Sequence, residues 1–157
     1  MIMNNLYINI YNNLINLTRN KKLYLSLQRK DNFSDRLIFF LLHFSFFLKN
    51  FKKNSEKKLL QDIYDYIFKQ LELSIREIGY GDQSINKKMK IYINYFYGML
   101  SDVHFWDDLS MQKKRNFLNN YLSDFEKLDD IIDYFDDFDN NLAKNTLINF
   151  SKSVIKL

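Results

Sequence analysis

The chain has no cysteine and no proline, and only three glycines, one alanine and one tryptophan in 157 residues. Without cysteine there is no disulfide and no thiolate metal site. A zinc centre would need carboxylates for half its ligands, because the only histidines are His43 and His104, far apart in sequence. The composition fits a reducing compartment. No Pro-, Gly- or Ser-rich linker divides the chain and no internal repeat shows, so a single domain over 1–157 is expected. A long hydrophobic run is missing too. The longest, Leu37 to Leu48 (LIFFLLHFSFFL), has 12 residues, whereas spanning a membrane takes about 20. It suits a buried core helix. The first twenty residues lack the charged start and small-residue cleavage site of a signal peptide, so none is expected. No acid precedes Asp31, as in mitochondrial presequences, but only Arg19 is basic in that stretch.

Aromatic residues are plentiful, at 17% with 15 Phe and 11 Tyr. Asn and Lys dominate the polar set, a skew of the kind an AT-rich coding sequence produces, so Asn-rich patches carry little functional weight. The net charge is +4 and unevenly spread. Residues 1–90 carry 16 Lys and Arg against 8 Asp and Glu, a net +8. Residues 91–157 carry 7 against 11, a net −4. A basic half can face anionic lipid or nucleic acid, and an acidic tail can fold back on it.

Apolar spacing predicts helices throughout, so the fold class is all-α with about six helices. The first is expected over about Asn5–Leu27, carried by Leu6, Ile10, Leu14 and Leu17. The second runs from Ser34, a candidate N-cap with Asp35 in the first turn, to about Asn50. It is apolar nearly all round and should sit at the centre of the fold. The third starts near Asn54 or Ser55, and Leu60, Ile63, Tyr64, Ile67, Leu71, Ile75 and Ile78 give it a 3-4-3-4 rhythm. The fourth begins near Asp82 or Ser84 and runs to Val103. Two more are expected over Leu109–Leu128 and Asp129–Ile155.

Two of the three glycines, Gly79 and Gly81, stand between the third and fourth helices. Gly79 is placed where a helix end turns left-handed, which glycine does without Cβ strain. Gly81 permits a second unusual backbone angle, and Asp82 or Ser84 then caps the next helix. A tight corner explains the glycines but not the charge crowded around them: Arg76, Glu77, Asp82, Lys87 and Lys88.

That corner resembles the most distinctive motif of the ubiquinol–cytochrome c chaperone family, roughly D-x-x-x-R-E-x-G-x-G-D-x-x-x-x-K-[RK]-[MV]-K. Here it stands as Glu72, Arg76-Glu77, Gly79, Gly81-Asp82 and Lys87-Lys88-Met89-Lys90. Upstream, Arg19, Leu23-Tyr24, Asp31, Arg36 and Leu42-His43 follow the family's arginine, aromatic pair and D…R…LH run in order. Downstream, Tyr95–Gly98 is similar to its F-Y-G-R. Glu72, Leu23 and Met99 depart from the expected aspartate, aromatic and arginine, and the proline after the arginine is missing. The resemblance covers about Tyr11 to Val103.

The resemblance implies an assembly factor without enzymatic activity or cofactor. Its client would be newly made cytochrome b, held during assembly of ubiquinol–cytochrome c reductase. A small helical partner protein and the ribosome would stand nearby. The expected location is a bacterial cytoplasm, peripheral to the inner membrane, or a mitochondrial matrix. Arg36, His43, Glu72, Arg76, Glu77, Gly79, Gly81 and Asp82 are the motif and structural-clamp residues: Arg76, Glu77 and Asp82 are expected either to form an internal salt-bridged clamp completed by Lys87 or Arg36, which is the favoured reading, or to face outward and bind the client. Tyr24, Tyr80, Lys87 and Lys88 are expected to face the client. His43 and Arg36 share a helix face seven residues apart, and Asp82 or Glu77 would neutralise Arg36.

Other readings compete with this one. Gly79-x-Gly81 is no nucleotide loop, since a helix precedes it and a third glycine is missing. Asp129-Asp130-Ile131-Ile132-Asp133 matches the D-D-x-x-D string by which all-α isoprenoid synthases hold Mg²⁺-diphosphate. The chain is about half the size of those enzymes, and acidic helix faces produce such strings readily. Lys49, Lys52, Lys53, Lys57 and Lys58 form a solvated turn that suits anionic lipid or nucleic-acid phosphates. A basic helical nucleic-acid-binding domain is thus the alternative to the chaperone, with no specific nucleic acid expected under the chaperone reading.

Overall fold

The computed structural model describes residues 2–79 and 81–152. These form α1 (Ile2–Thr18), α2 (Phe33–Phe51), α3 (Lys57–Glu77), α4 (Asp82–Val103), α5 (Met111–Asn119), α6 (Leu128–Ala143) and α7 (Leu147–Lys152). Short 3-10 turns stand at Lys21–Tyr24 and Trp106–Asp108. The class is all-α. The only β pairing among the described residues is an isolated antiparallel bridge, Leu27 with Phe125.

Local chemistry sets the ends. The first helix stops at Thr18, not at Leu27. Thr18 bonds back to the Leu14 carbonyl at 2.8 Å, and extended Asn20 then caps the 3-10 turn by accepting from the Lys22 N–H. The cap of α2 is Asn32, not Ser34. The Asn32 side chain accepts from the Asp35 N–H at 2.9 Å, and the Asp35 carboxylate accepts from the Asn32 N–H at 3.2 Å, a reciprocal capping box. Ser34 lies inside the first turn, 3.0 Å from the Tyr92 hydroxyl. The last expected segment is two helices, because Asn145 and Thr146 interrupt it. Thr146 Oγ1 accepts from the Asn149 N–H and starts α7.

Every residue of α2 from Leu37 to Phe47 is buried. The helix packs against α1, α4 and α6, which uses apolar side chains on all its faces. Phe44 stacks on Phe96 of α4 at 5.0 Å between centroids, and Phe46 stacks on Phe135 of α6 at 5.3 Å. Such ring pairs add about 0.5–1.5 kcal/mol each beyond the area they bury. The two polar residues in this run are satisfied: Ser45 donates to the Leu42 carbonyl, and His43 is bonded at both ring nitrogens. Gly98 in α4 makes room for Tyr121, whose hydroxyl would lie 2.8 Å from an added Cβ.

A crossing strap fixes the start of α2. The Gln28 N–H donates to the Asp124 carbonyl and the Glu126 N–H to the Ser26 carbonyl, both at 3.1 Å. Arg29 grips Asp35 through Nη1 at 2.8 Å and Nη2 at 3.1 Å, and Asp124 through Nε at 3.0 Å. Asp124 adopts φ 65° to meet it. Asparagine and aspartate tolerate that left-handed region better than most residues.

Candidate functional site

The corner behaves in part as its glycines foretell. Gly79 has φ 100°, and its N–H closes the helix end on the Arg76 carbonyl at 2.9 Å. Gly81 does not take an unusual angle. At φ −71°, ψ 163° it is ordinary extended backbone. It is also the N-cap residue of α4, so neither Asp82 nor Ser84 caps; its carbonyl accepts from the Ile85 N–H at 2.9 Å. Asp82 begins the helix and sits where the dipole favours an anion.

The structure brings three of the eight expected clamp residues into one ion-paired group. Arg76 Nη1 donates to Asp82 at 2.7 Å and Nη2 to Glu72 at 3.2 Å. The hydrogen bond from Arg76, with help from Lys69, holds the Glu72 carboxyl below its usual range. The bond to Asp82, then that to Glu72, raises the Arg76 guanidinium. This group bridges α3 to α4 on the surface, not in the interior: the Asp82 side chain is 85% exposed and that of Arg76 43%. Glu77 is exposed. Arg36 is not the partner of Asp82 or Glu77; it donates to Asp31 at 2.7 Å. His43 bonds the Phe39 carbonyl and Tyr134 of α6 instead. Of the residues expected to face a client, Lys87 is exposed and Lys88 half-buried; Tyr80 lies outside the described residues.

A cleft of about 500 Å³ opens where the end of α1, the 3-10 turn, the start of α2 and the last turns of α3 meet. Ile15, Leu37, Phe40 and Leu71 give it an apolar lining, with Arg19, Lys21 and the Arg36–Asp31 pair as its charged members. Tyr24 lines it as well. The Tyr24 hydroxyl donates to the Thr18 carbonyl at 2.8 Å, and its ring meets the edge of Phe39 at 5.2 Å. Burial, then the Asp31 charge, pushes the Tyr24 phenol up to about 12, so it stays a donor at neutral pH. Arg19, Tyr24, Asp31 and Arg36 are four residues of the upstream motif, and the fold gathers them on this one concavity. Periodicity alone does not reveal that gathering, because the strap from Leu25 to Asp31 carries no helical pattern. Arg29, which ties the strap down, carried no motif either; its signal was an aspartate six residues ahead in a capping position.

The acidic string is divided. Asp129 is held by Arg115 through two bonds of 2.6 and 2.8 Å, which lowers its carboxyl. Asp129 lines one groove with Arg115, and Asp133 lines another with Lys22 and Tyr134. Among the described residues no group of three or more His, Asp or Glu could hold a metal ion. No helix among them is long and apolar enough to cross a membrane.

Comparison with known proteins adds one finding. The model of a family described as ubiquinol-cytochrome C chaperone matches residues 25–144. The match takes in the corner, the strap, α2 and α6, and Asp31, Arg36, Leu37, Phe40 and Leu71 of the cleft. No curated protein and no solved structure matches the chain.

Proposed function

The chain belongs to the ubiquinol-cytochrome C chaperone family, and from that premise we propose that it is a non-enzymatic assembly factor that holds newly made cytochrome b. The complex it serves is ubiquinol–cytochrome c reductase, and it works as a single domain in peripheral contact with the membrane that receives its client. The family match over residues 25–144 carries this reading. The α1–α2–α3 cleft is the client-binding surface. It offers apolar area from Ile15, Leu37, Phe40 and Leu71 beside donors on Arg19, Lys21 and Arg36. A nascent membrane segment with its flanking polar residues presents the same two chemistries.

The test is affinity capture of the tagged chain from its own cells, with cytochrome b as the readout. Arg19 and Lys21 are exposed, so Arg19→Glu with Lys21→Glu should leave the fold intact. The double variant should capture markedly less cytochrome b than wild type. Undiminished capture would move the client to another surface.

A further inference from the structure

At the opposite end of α2 from the cleft, the first turns of α3 and the last turns of α4 wall a groove of about 770 Å³ above Leu48. Leu60 and Tyr64 stand on one wall, and Tyr97 and Leu100 on the other. The Tyr64 and Tyr97 rings lie 6.5 Å apart, near parallel. Tyr97 is 57% exposed, and Phe105, in the turn after α4, is 58% exposed. Single exposed apolar residues are ordinary; rings clustered on one concavity mark a surface that takes a partner.

The charge on the groove has one sign. Lys49, Lys52 and Lys57 line it, and among the described residues no carboxylate does. Lys49 is ion-paired with Asp139 at 2.9 Å and with the exposed Asp107 at 3.4 Å. Lys52 and Lys57 are exposed, and neither makes an ion pair among the described residues. Lys53 and Lys58 are exposed on the same turn. An occupant that covers these ammonium groups without supplying carboxylates or phosphates would leave them desolvated and unpaired, at a cost in affinity.

Shape selects between anionic partners. A bilayer surface would meet Phe105 and the lysines but would not reach Leu48 and Leu60, which are half-buried in the groove. An α-helix, about 10–12 Å across with its side chains, lies between two helices and presents an apolar stripe to such a floor. We infer that the α3–α4 groove docks an acidic amphipathic helix of a partner protein, its apolar stripe against Leu60, Tyr64, Tyr97 and Leu100 and its carboxylates on Lys52 and Lys57. The inference stands apart from the client assignment, because the groove and the cleft lie at opposite ends of α2.

The probe is a fluorescein-labelled 18-residue peptide with Leu at i, i+3, i+4 and i+7 spacing and Glu and Gln elsewhere. Its binding to the full chain is read by anisotropy, and its position by shifts in the amide NMR signals. Wild type should bind it, with shifts at Lys57, Leu60, Tyr97, Ser101 and Phe105. Lys52→Glu with Lys57→Glu should weaken binding by about tenfold or more, because two attractive charges become repulsive. Both positions are exposed, and a glutamate in the first turn of α3 suits the helix dipole, so circular dichroism should show an unchanged fold. A peptide with Lys in place of Glu should not bind. Equal binding to the variant, shifts confined to other surfaces, or no binding at all would overturn the inference. So would phosphatidylglycerol vesicles that sediment wild type but not the variant while the peptide leaves the groove signals unmoved.

Discussion

His43 makes the interior of the protein sensitive to acid. Its ring is fully buried among Tyr134, Phe135 and Phe138 of α6, with centroids 5.0–5.5 Å away. Nδ1 lies 2.6 Å from the Phe39 carbonyl, which can only accept, so the proton resides there. Nε2 then accepts from the Tyr134 hydroxyl at 2.7 Å. Burial raises the Tyr134 phenol, so that donor persists. Desolvation, partly offset by the bond to Phe39, pushes the His43 pKa down to about 4. In the unfolded chain the ring titrates near 6.5. As pH falls below that value the unfolded state takes up a proton that the folded state refuses until about 4. The folded state therefore loses stability between these two values and regains it as pH rises. At pH 4.5 the expected loss from this one group is on the order of 2–3 kcal/mol. Urea unfolding followed by far-UV circular dichroism at pH 7.5 and pH 4.5 measures it. The reference is His43→Leu with Tyr134→Phe, which removes the titrating ring and its donor together and leaves neither unpaired. Carboxylates titrate alike in both proteins and cancel. Wild type should lose on the order of 2–3 kcal/mol more than the double variant across that interval. Equal losses would refute the assignment of a neutral, desolvated imidazole between α2 and α6.

The two corner glycines should respond differently. Gly79→Ala should cost at least about 1 kcal/mol, because alanine is strained at positive φ, although nothing lies within 4 Å of the new Cβ. Gly81→Ala should be neutral or slightly stabilising, since its backbone is already ordinary; thermal melts compare the two. Asp82→Asn should leave the melting temperature unchanged, because an ion pair so open to solvent contributes little; a clear drop would mean that the Arg76 group is shielded in solution.

The elements were legible wherever apolar spacing was sustained. The Leu60–Ile75 rhythm placed α3 almost to its ends, and the apolar face from Ile85 to Val103 placed α4. Hydrophobic pattern misplaces the helix ends where short polar side chains compete with the helix. Thr18 and Asn20 end α1 early, Asn32 displaces Ser34 as a cap, and Thr146 divides the last segment. Each is a local side-chain to backbone bond that hydrophobic pattern does not encode. At the site, the motif order in the sequence grouped Arg19, Tyr24, Asp31 and Arg36, but their meeting on one cleft depends on the strap and on Arg29. The surface position of the Arg76 group has a related cause. Arg36 looked short of a partner because its distance from Asp31 along the chain did not show that an extended turn brings the carboxylate back onto it. Residue types alone could not say that Arg76, Glu72 and Asp82 lie on the surface.

We propose that this chain holds cytochrome b on the α1–α2–α3 cleft. Capture of the tagged chain from its own cells, run in parallel on wild type, Arg19→Glu/Lys21→Glu and the groove variant Lys52→Glu/Lys57→Glu, tests it most directly. Cytochrome b should accompany wild type and the groove variant and be depleted from the cleft variant. Its absence from wild type, or its undiminished recovery with the cleft variant, would contradict the account.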